Sequence, residues 1–123
     1  STFDYIEKRL NDLDDNVFYS DTNISLISLA QMVGTNRTYM SVYFRAQKTT
    51  FWDYVNTKRC NHAIELMKKN KSISMNELSQ KCGFRTTNCF RTTFTTLNGS
   101  NPSSYKKMLL TSLDKDTETL NNS

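Results

Sequence analysis

Two stretches of this chain decide its fold because they repeat: ISLISLAQMVG at residues 24–34 and ISMNELSQKCG at residues 73–83. The Ile, Ser, Leu, Gln and Gly of the first stretch recur forty-nine residues later, in the same order and at the same spacing. Where the residues differ, apolar character is often kept, as at Val33 and Cys82. Self-similarity at a fixed period indicates one structural unit that is used twice.

Each copy has the pattern of a short helix that ends at a tight turn. Ser25 and Ser74 precede the apolar positions, where a hydroxyl oxygen accepts hydrogen bonds from the first unpaired N–H groups of a helix. Glu77, three residues after Ser74, completes a capping box. Gly34 and Gly83 close the two stretches, where a helix commonly ends in a left-handed residue.

A second helix is predicted after each turn, with Asn36 and Thr86 as its caps. The following residues recur at helical spacing in both copies: Tyr39, Met40, Tyr43 and Phe44, then Cys89, Phe90, Thr93 and Phe94. A short helix, a turn containing Gly and a second helix form the helix-turn-helix pattern. Two such patterns in tandem are a more specific signal than one.

The remaining residues complete the prediction of an all-α chain. Residues 51–70 are predicted as a connecting helix that no Gly or Pro interrupts. The nineteen residues from Phe51 to Lys69, at 1.5 Å each, span about 28 Å, which is close to the 34 Å repeat of the major groove. The other segments are an N-terminal packing helix with an acidic lead-in (1–21), the first helix-turn-helix unit (22–50), the second unit with a closing helix that begins at Pro102 (71–110), and a frayed polar tail (111–123).

Charge is distributed unevenly, although the net charge is only +4. Residues 1–21 carry −4 and residues 114–123 carry −2, whereas residues 22–113 carry +10. A cationic segment of this size is typical of a domain that binds polyanions such as nucleic acids. The alternative is a domain whose solvent-exposed surface simply favours lysine.

Several classes of function are excluded by what the sequence lacks. No apolar run approaches the roughly 20 residues that cross a bilayer, so no membrane contact is expected of this domain. The three cysteines lack metal-site spacing and are expected to be small buried thiols in a reducing compartment. His62 is the only histidine and no nucleophile–base set is visible, so no enzyme, metal site or cofactor is predicted.

Three sets of residues have a structural interpretation beside a functional one. Phe84, Phe90 and Phe94 have helical spacing and are predicted to form core rather than to stack on bases. Arg59 is predicted to pair with an acid or a helix end, with a phosphate contact as the alternative. Trp52 lies beside the predicted core face of the connector, so we expect it to be partly exposed.

These residues resemble the DNA-binding domain of AraC/XylS-type transcriptional regulators. The second copy carries the most specific motif: Ile73-Ser74 through Leu78, Gly83-Phe84, Phe90 and Phe94, and Gly99-x-x-Pro102-x-x-Tyr105-Lys106. The connector adds Phe51, Tyr54, Val55, Arg59, Ala63 and Leu66, and the first copy adds Leu29-Ala30, Gly34 and Phe44. The resemblance covers roughly residues 22–108.

The resemblance implies about seven helices, with two helix-turn-helix units joined by a long connecting helix. The second helix of each unit, about residues 36–46 and 86–97, would enter successive major grooves of double-stranded DNA. By alignment, the residues that face base edges are Arg37, Thr38, Ser41, Val42 and Arg45, and Arg85, Thr87, Asn88, Arg91 and Thr92. Asn and Arg suit adenine and guanine edges, and Thr suits the thymine methyl group.

Two features depart from the family pattern. Val42 stands where a basic residue is usual, and the parallel position holds Thr92. The loop between Phe44 and Phe51 is one residue shorter than usual and lacks its customary Gly. An alternative therefore stays open: a helical protein-interaction module, or an anti-activator that has lost specific DNA binding.

The resemblance also implies a setting. We expect the output domain of a bacterial transcription regulator, an activator that contacts RNA polymerase in the cytoplasm. An effector, sensor or receiver domain is expected in the same parent protein, as in a ligand-sensing regulator or a hybrid two-component sensor, and a membrane-anchored parent is compatible with this. A small stand-alone regulator is the alternative.

Overall fold

The computed structural model describes residues 1–121, and within this range the chain is all-α, as predicted. Eight helices follow one another: α1 (Thr2–Asp12), α2 (Asn16–Ser20), α3 (Leu26–Val33), α4 (Arg37–Ala46), α5 (Phe51–Lys69), α6 (Met75–Lys81), α7 (Thr87–Asn98) and α8 (Pro102–Asn121). The chain divides into two compact units, and the boundary lies inside α5. Unit 1 ends at Arg59 and unit 2 begins at Cys60.

The helices of the two helix-turn-helix units begin and end where the sequence predicts. In each of α3, α4, α6 and α7, a side-chain oxygen accepts a hydrogen bond of 2.9–3.0 Å from the N–H three residues on; the caps are Ser25, Asn36, Ser74 and Thr86. Gly34 and Gly83 follow α3 and α6 with φ of 88° and 92°. A β-carbon at Gly34 would also lie 2.7 Å from the Tyr5 hydroxyl. Glycine therefore fits this turn because it adopts a positive φ without strain and because it leaves room for the Tyr5 hydroxyl.

α1 is the predicted packing helix of unit 1. Its buried residues, Ile6 and Leu10, belong to the core of that unit. Arg9 Nε donates a hydrogen bond of 3.0 Å to the carbonyl of Val33, the last residue of α3. A cation thus lies at a helix C-terminus, where carbonyl groups lack partners within the helix.

α2 is an eighth helix that the sequence pattern does not predict, because five residues are too few to show a helical period. Phe18 anchors it in the core. Arg59 is only 4% exposed and donates hydrogen bonds to the carbonyls of Phe18 (2.8 Å) and Asp21 (2.9 Å), at the end of α2. The predicted structural role of Arg59 is therefore confirmed. Burial raises the pKa of the neighbouring Tyr54 hydroxyl, and the carboxylate of Asp15 adds to the shift.

Aromatic residues form the centre of unit 2. Phe90 and Phe94 are fully buried and Phe84 is nearly so. The ring centroids of Phe90 and Phe94 lie 5.7 Å apart, and those of Phe94 and Tyr105 lie 5.3 Å apart in an edge-on arrangement. The prediction that these phenylalanines form core is confirmed.

The prediction of three buried thiols is wrong for one cysteine. Cys60 and Cys82 are buried in the core of unit 2. Cys89 is exposed because it lies in the first turn of α7, on the side away from Phe90 and Phe94. Tyr39 occupies the matching place in α4 and is also exposed.

The closing helix is longer than the predicted end near residue 110 and the frayed tail at 111–123. α8 continues to Asn121, because no Gly or Pro follows Pro102 within it. Leu113 lies one turn after Leu109, and both are half-buried. Lys71 Nζ lies 3.6 Å from the carboxylate of Asp114. Residues 111–121 are thus helical, and residues 122–123 lie outside the described range.

Candidate nucleic-acid interface

α4 has a buried face and an outward face. The buried face consists of Met40, Tyr43 and Phe44. At about 100° per residue, the middle of the opposite side is occupied by Thr38, Val42 and Arg45, all of which are exposed. We call these three residues the outward face of α4.

The other two residues predicted for unit 1 lie at the edges of this face. Ser41 is half-buried, and Arg37 is exposed in the first turn of the helix. Arg37 also lines a surface pocket of about 510 Å³ together with the exposed side chains of Ile27 and Trp52. The expected partial exposure of Trp52 is confirmed.

α7 repeats the arrangement of α4 fifty residues later. Phe90 and Phe94 are buried where α4 has Met40 and Phe44. The outward face of α7 is occupied by Asn88, Thr92 and Thr95, all exposed, with Arg91 exposed at its edge. The structure thus brings three of the predicted residues, Asn88, Arg91 and Thr92, together on one surface.

Two predicted residues of unit 2 lie apart from this face. Thr87 is half-buried, and its hydroxyl donates a hydrogen bond of 3.3 Å to Oδ1 of Asn76 in α6. That bond joins the two helices of the unit. Arg85 is exposed but precedes the cap Thr86, so it belongs to the turn and not to the helix.

Thr95 and Thr96 are also exposed on α7, although they are not among the residues that the resemblance selects. Their hydroxyls donate to the carbonyls four residues earlier, those of Arg91 (2.7 Å) and Thr92 (3.0 Å). Their oxygen lone pairs and methyl groups remain on the surface, where they line a pocket of about 400 Å³ with Asn101. The repeat could have revealed Thr95, because it matches Arg45 at the same fifty-residue offset.

Two arginines on these surfaces differ from several of the lysines, which are paired with a carboxylate. Lys58 and Lys81 each form an ion pair, with Asp15 at 3.0 Å and Glu77 at 3.8 Å. Among the side chains that the structure describes, no carboxylate lies within 4.0 Å of Arg45 or Arg91. Their guanidinium groups are available to an anion or to the acceptor edge of a base.

The loop after α4 lacks the glycine that is usual in the family, but Lys48 in this loop has a left-handed conformation. Lys48 has φ of 59°, in the left-handed region, and its N–H donates to the carbonyl of Arg45 at 3.0 Å. Gly99 in unit 2 has φ of 79° and likewise stands three residues before the next helix. Both units therefore have a left-handed residue three positions before the next helix, and in unit 1 this residue is a lysine.

The chemistry of these surfaces is that of a binding face. The pockets beside the outward faces are lined by arginine, hydroxyl, amide and apolar side chains, without a carboxylate among the described lining residues. Across residues 1–121, no group of three His, Cys, Asp or Glu residues could hold a metal ion. No helix in the described part of the chain is long and apolar enough to cross a membrane.

Comparison with known proteins places this geometry among helix-turn-helix proteins. A family model described as a helix-turn-helix domain matches residues 29–108. Among curated proteins, none matches the sequence significantly.

Several solved structures share the fold. The DNA-binding domain of AdpA, a global transcriptional factor solved with a target DNA, is 20% identical, with a TM-score of 0.71 over 84% of this chain and 90% of its own. The C-terminal domain of AraT, a response regulator from Geobacillus stearothermophilus, is 19% identical, with a TM-score of 0.72 over 85% and 84%. The C-terminal domain of the two-component response regulator YesN from Fusobacterium nucleatum is 25% identical, with a TM-score of 0.67 over 81% and 95%.

Proposed function

This chain belongs to the AraC-type helix-turn-helix family, and we propose that α4 and α7 are its two DNA-reading helices. It is a DNA-binding domain of a transcription regulator, and its family and fold are not those of enzymes. The observation that supports the assignment of α4 and α7 is their matched geometry. Each follows a helix, a left-handed glycine and a side-chain cap, and each directs to solvent the side opposite its buried residues.

The side chains on the two faces suit different parts of duplex DNA. Arg45 and Arg91 present the forked donor that pairs with guanine O6 and N7, and Asn88 presents the amide that pairs with adenine N6 and N7. Arg37, in the first turn of α4, and Arg85, in the turn before α7, are placed to hold phosphates. Phosphate contacts fix the register of a protein on DNA, whereas base contacts specify the sequence.

We also propose the wider role that the family implies. The domain is the output part of a bacterial activator that contacts RNA polymerase in the cytoplasm, and a sensor, effector or receiver domain controls it. Two of the structural neighbours are C-terminal domains of response regulators, which supports the link to two-component signalling.

One observation favours a second candidate, a helical protein-interaction module or an anti-activator. Val42 and Thr92, at matching places in the outward faces, carry no charge and cannot act as the usual cationic contacts. On this alternative, duplex DNA would bind no better than any other polyanion.

Selection from a random duplex library distinguishes the two candidates. The enriched duplex is then titrated by fluorescence anisotropy at about 50 and 200 mM salt, where several phosphate contacts give a steep loss of affinity. We expect one motif with two blocks about 10 base pairs apart. A motif with one block would show that one unit does not read bases, and the absence of any motif would support the interaction module.

A further inference from the structure

α4 carries an exposed apolar strip that α7 lacks. Val42 is 38% exposed and Tyr39 is 52% exposed, and they lie one turn apart. The matching residues of α7 are Thr92 and Cys89. Val42 is central on its face, between Thr38 one turn before and Arg45 one turn after. A valine there leaves hydrocarbon in water when the domain is free.

We propose that Val42 contacts the 5-methyl group of a thymine in the half-site that unit 1 reads. This rests on the proposed function and adds a base preference to it. The thymine methyl is the apolar group among the base edges of the major groove, whose other groups donate or accept hydrogen bonds. A valine side chain satisfies none of those donors and acceptors, so the methyl group of thymine is the part of a base edge whose burial against valine is favourable.

The neighbouring side chain sets the position of this thymine. Arg45 lies three residues after Val42, and side chains at that spacing are about 5–6 Å apart on a helix surface. Successive bases are about 3.4 Å apart along a strand. The thymine is therefore expected one or two base pairs from the guanine that Arg45 contacts.

Removal of single methyl groups from the selected duplex tests the contact. Each thymine of the unit 1 block is replaced in turn by deoxyuridine, which pairs identically but lacks the 5-methyl group. The block of unit 1 is identified as the one whose preference changes when the selection is repeated with Arg45→Ala. We expect one replacement to lower the affinity about fourfold, the value for a buried methyl-sized group.

The same duplexes are then titrated with Val42→Ala. Alanine keeps the helix but cannot reach the methyl group, so the thymine-to-deoxyuridine affinity ratio should fall to about one. Thr92→Ala, the matched substitution in α7, should leave that ratio at about four. A duplex with 5-methylcytosine at the same position should recover part of the affinity that cytosine loses.

The outcomes separate this proposal from the proposed function. Failure to enrich any motif would overturn DNA reading itself. Enrichment of a two-block motif whose unit 1 block shows no methyl dependence would overturn the valine contact alone, as would a ratio that persists in Val42→Ala. Circular dichroism melting of Val42→Ala and Thr92→Ala confirms that both variants are folded.

Discussion

The two units build the same helix-turn-helix on different supports. In unit 1, Tyr54 of the following helix packs on Phe44 with ring centroids 5.2 Å apart; in unit 2, Tyr105 packs on Phe94 at 5.3 Å. In both units, a cationic side chain of the helix after the helix-turn-helix (α5 or α8) donates to a backbone carbonyl that precedes the first helix of the motif (α3 or α6). Unit 1 uses the buried Arg59, which holds two carbonyls, and unit 2 uses Lys106, which donates to Ile73 at 2.8 Å.

The difference between the outward faces is larger than the difference between the supports. α4 presents Thr38, Val42 and Arg45, whereas α7 presents Asn88, Thr92 and Thr95. Caps, turns and core residues must meet the same geometric requirements in both units, because each unit buries one side of a short helix. The outward faces are free of those requirements, so they can differ in chemistry without a change of fold.

The largest expected effect concerns the aromatic residue that both units bury at the same place. Phe94→Ala should destabilise unit 2 by about 3–5 kcal/mol, because it leaves a cavity among packed rings. Phe44→Ala should cost unit 1 a similar amount, since that ring is also buried. Leu97→Ala, on α7 but 39% exposed, is the control and should have little effect. Thermal melting measures all three, and an unaltered melt of Phe94→Ala would show that the buried face of α7 is wrongly assigned.

The second prediction compares the two cationic supports. Arg59→Met should destabilise unit 1 by about 3 kcal/mol, because two carbonyls lose a charged donor and one of these bonds is buried. Lys106→Met should cost unit 2 about 1 kcal/mol, because one partly buried carbonyl loses its donor. Urea denaturation measures both values. Equal losses would mean that the second carbonyl bound by Arg59 adds nothing.

Much of this scaffold could be predicted from the sequence, and its exceptions have physical causes. The caps, the glycine turns and the bounds of α5 follow from local rules that the residues obey on their own. α2 could not be predicted, because the bonds that hold it come from Arg59, 38 to 41 residues away in the chain. The full length of α8 was not predicted, because the polar composition after residue 110 indicates a frayed tail. The helical spacing of Leu109 and Leu113 is the apolar signal that the helix continues.

The candidate site was predictable to a similar degree. The resemblance selected the outward residues of both helices, and the fold brings most of them onto the expected faces. Thr95 is outside the set that the family pattern selects, whereas the repeat pairs it with Arg45. The resemblance selects Thr87 by alignment, although its hydroxyl is directed to Asn76.

The third prediction compares matching places on the two reading helices. Arg91→Ala should weaken binding to the selected duplex by about 1–3 kcal/mol and relax one base preference, because a guanidinium–guanine pair is lost. Ser41→Ala, the matching substitution in α4, should have a smaller effect, since this hydroxyl is half-buried. Anisotropy titration and repeated selection measure affinity and preference separately. An unchanged binding motif in the Arg91 variant would contradict the assignment.

The smallest expected effect concerns Lys48 and Gly99, which both have a left-handed φ and stand three residues before the next helix. Lys48→Gly should stabilise unit 1 by about 0.5–1 kcal/mol, because the relief of left-handed strain exceeds the entropy that glycine adds to the unfolded chain. Gly99→Ala should destabilise unit 2 by about the same amount, since a β-carbon there meets no atom within 4 Å and the backbone alone opposes it.

Lys48→Ala separates conformation from charge, because it removes the ammonium group and keeps the β-carbon. It should not stabilise unit 1, whereas both Lys48 variants should reduce the salt dependence of DNA binding by about one phosphate contact if the lysine reaches the backbone. A gain in melting temperature for Lys48→Ala equal to that of Lys48→Gly would contradict the strain argument. A gain for glycine alone, with the salt slope reduced in both, would show that unit 1 keeps a strained turn in order to hold a cation at the DNA.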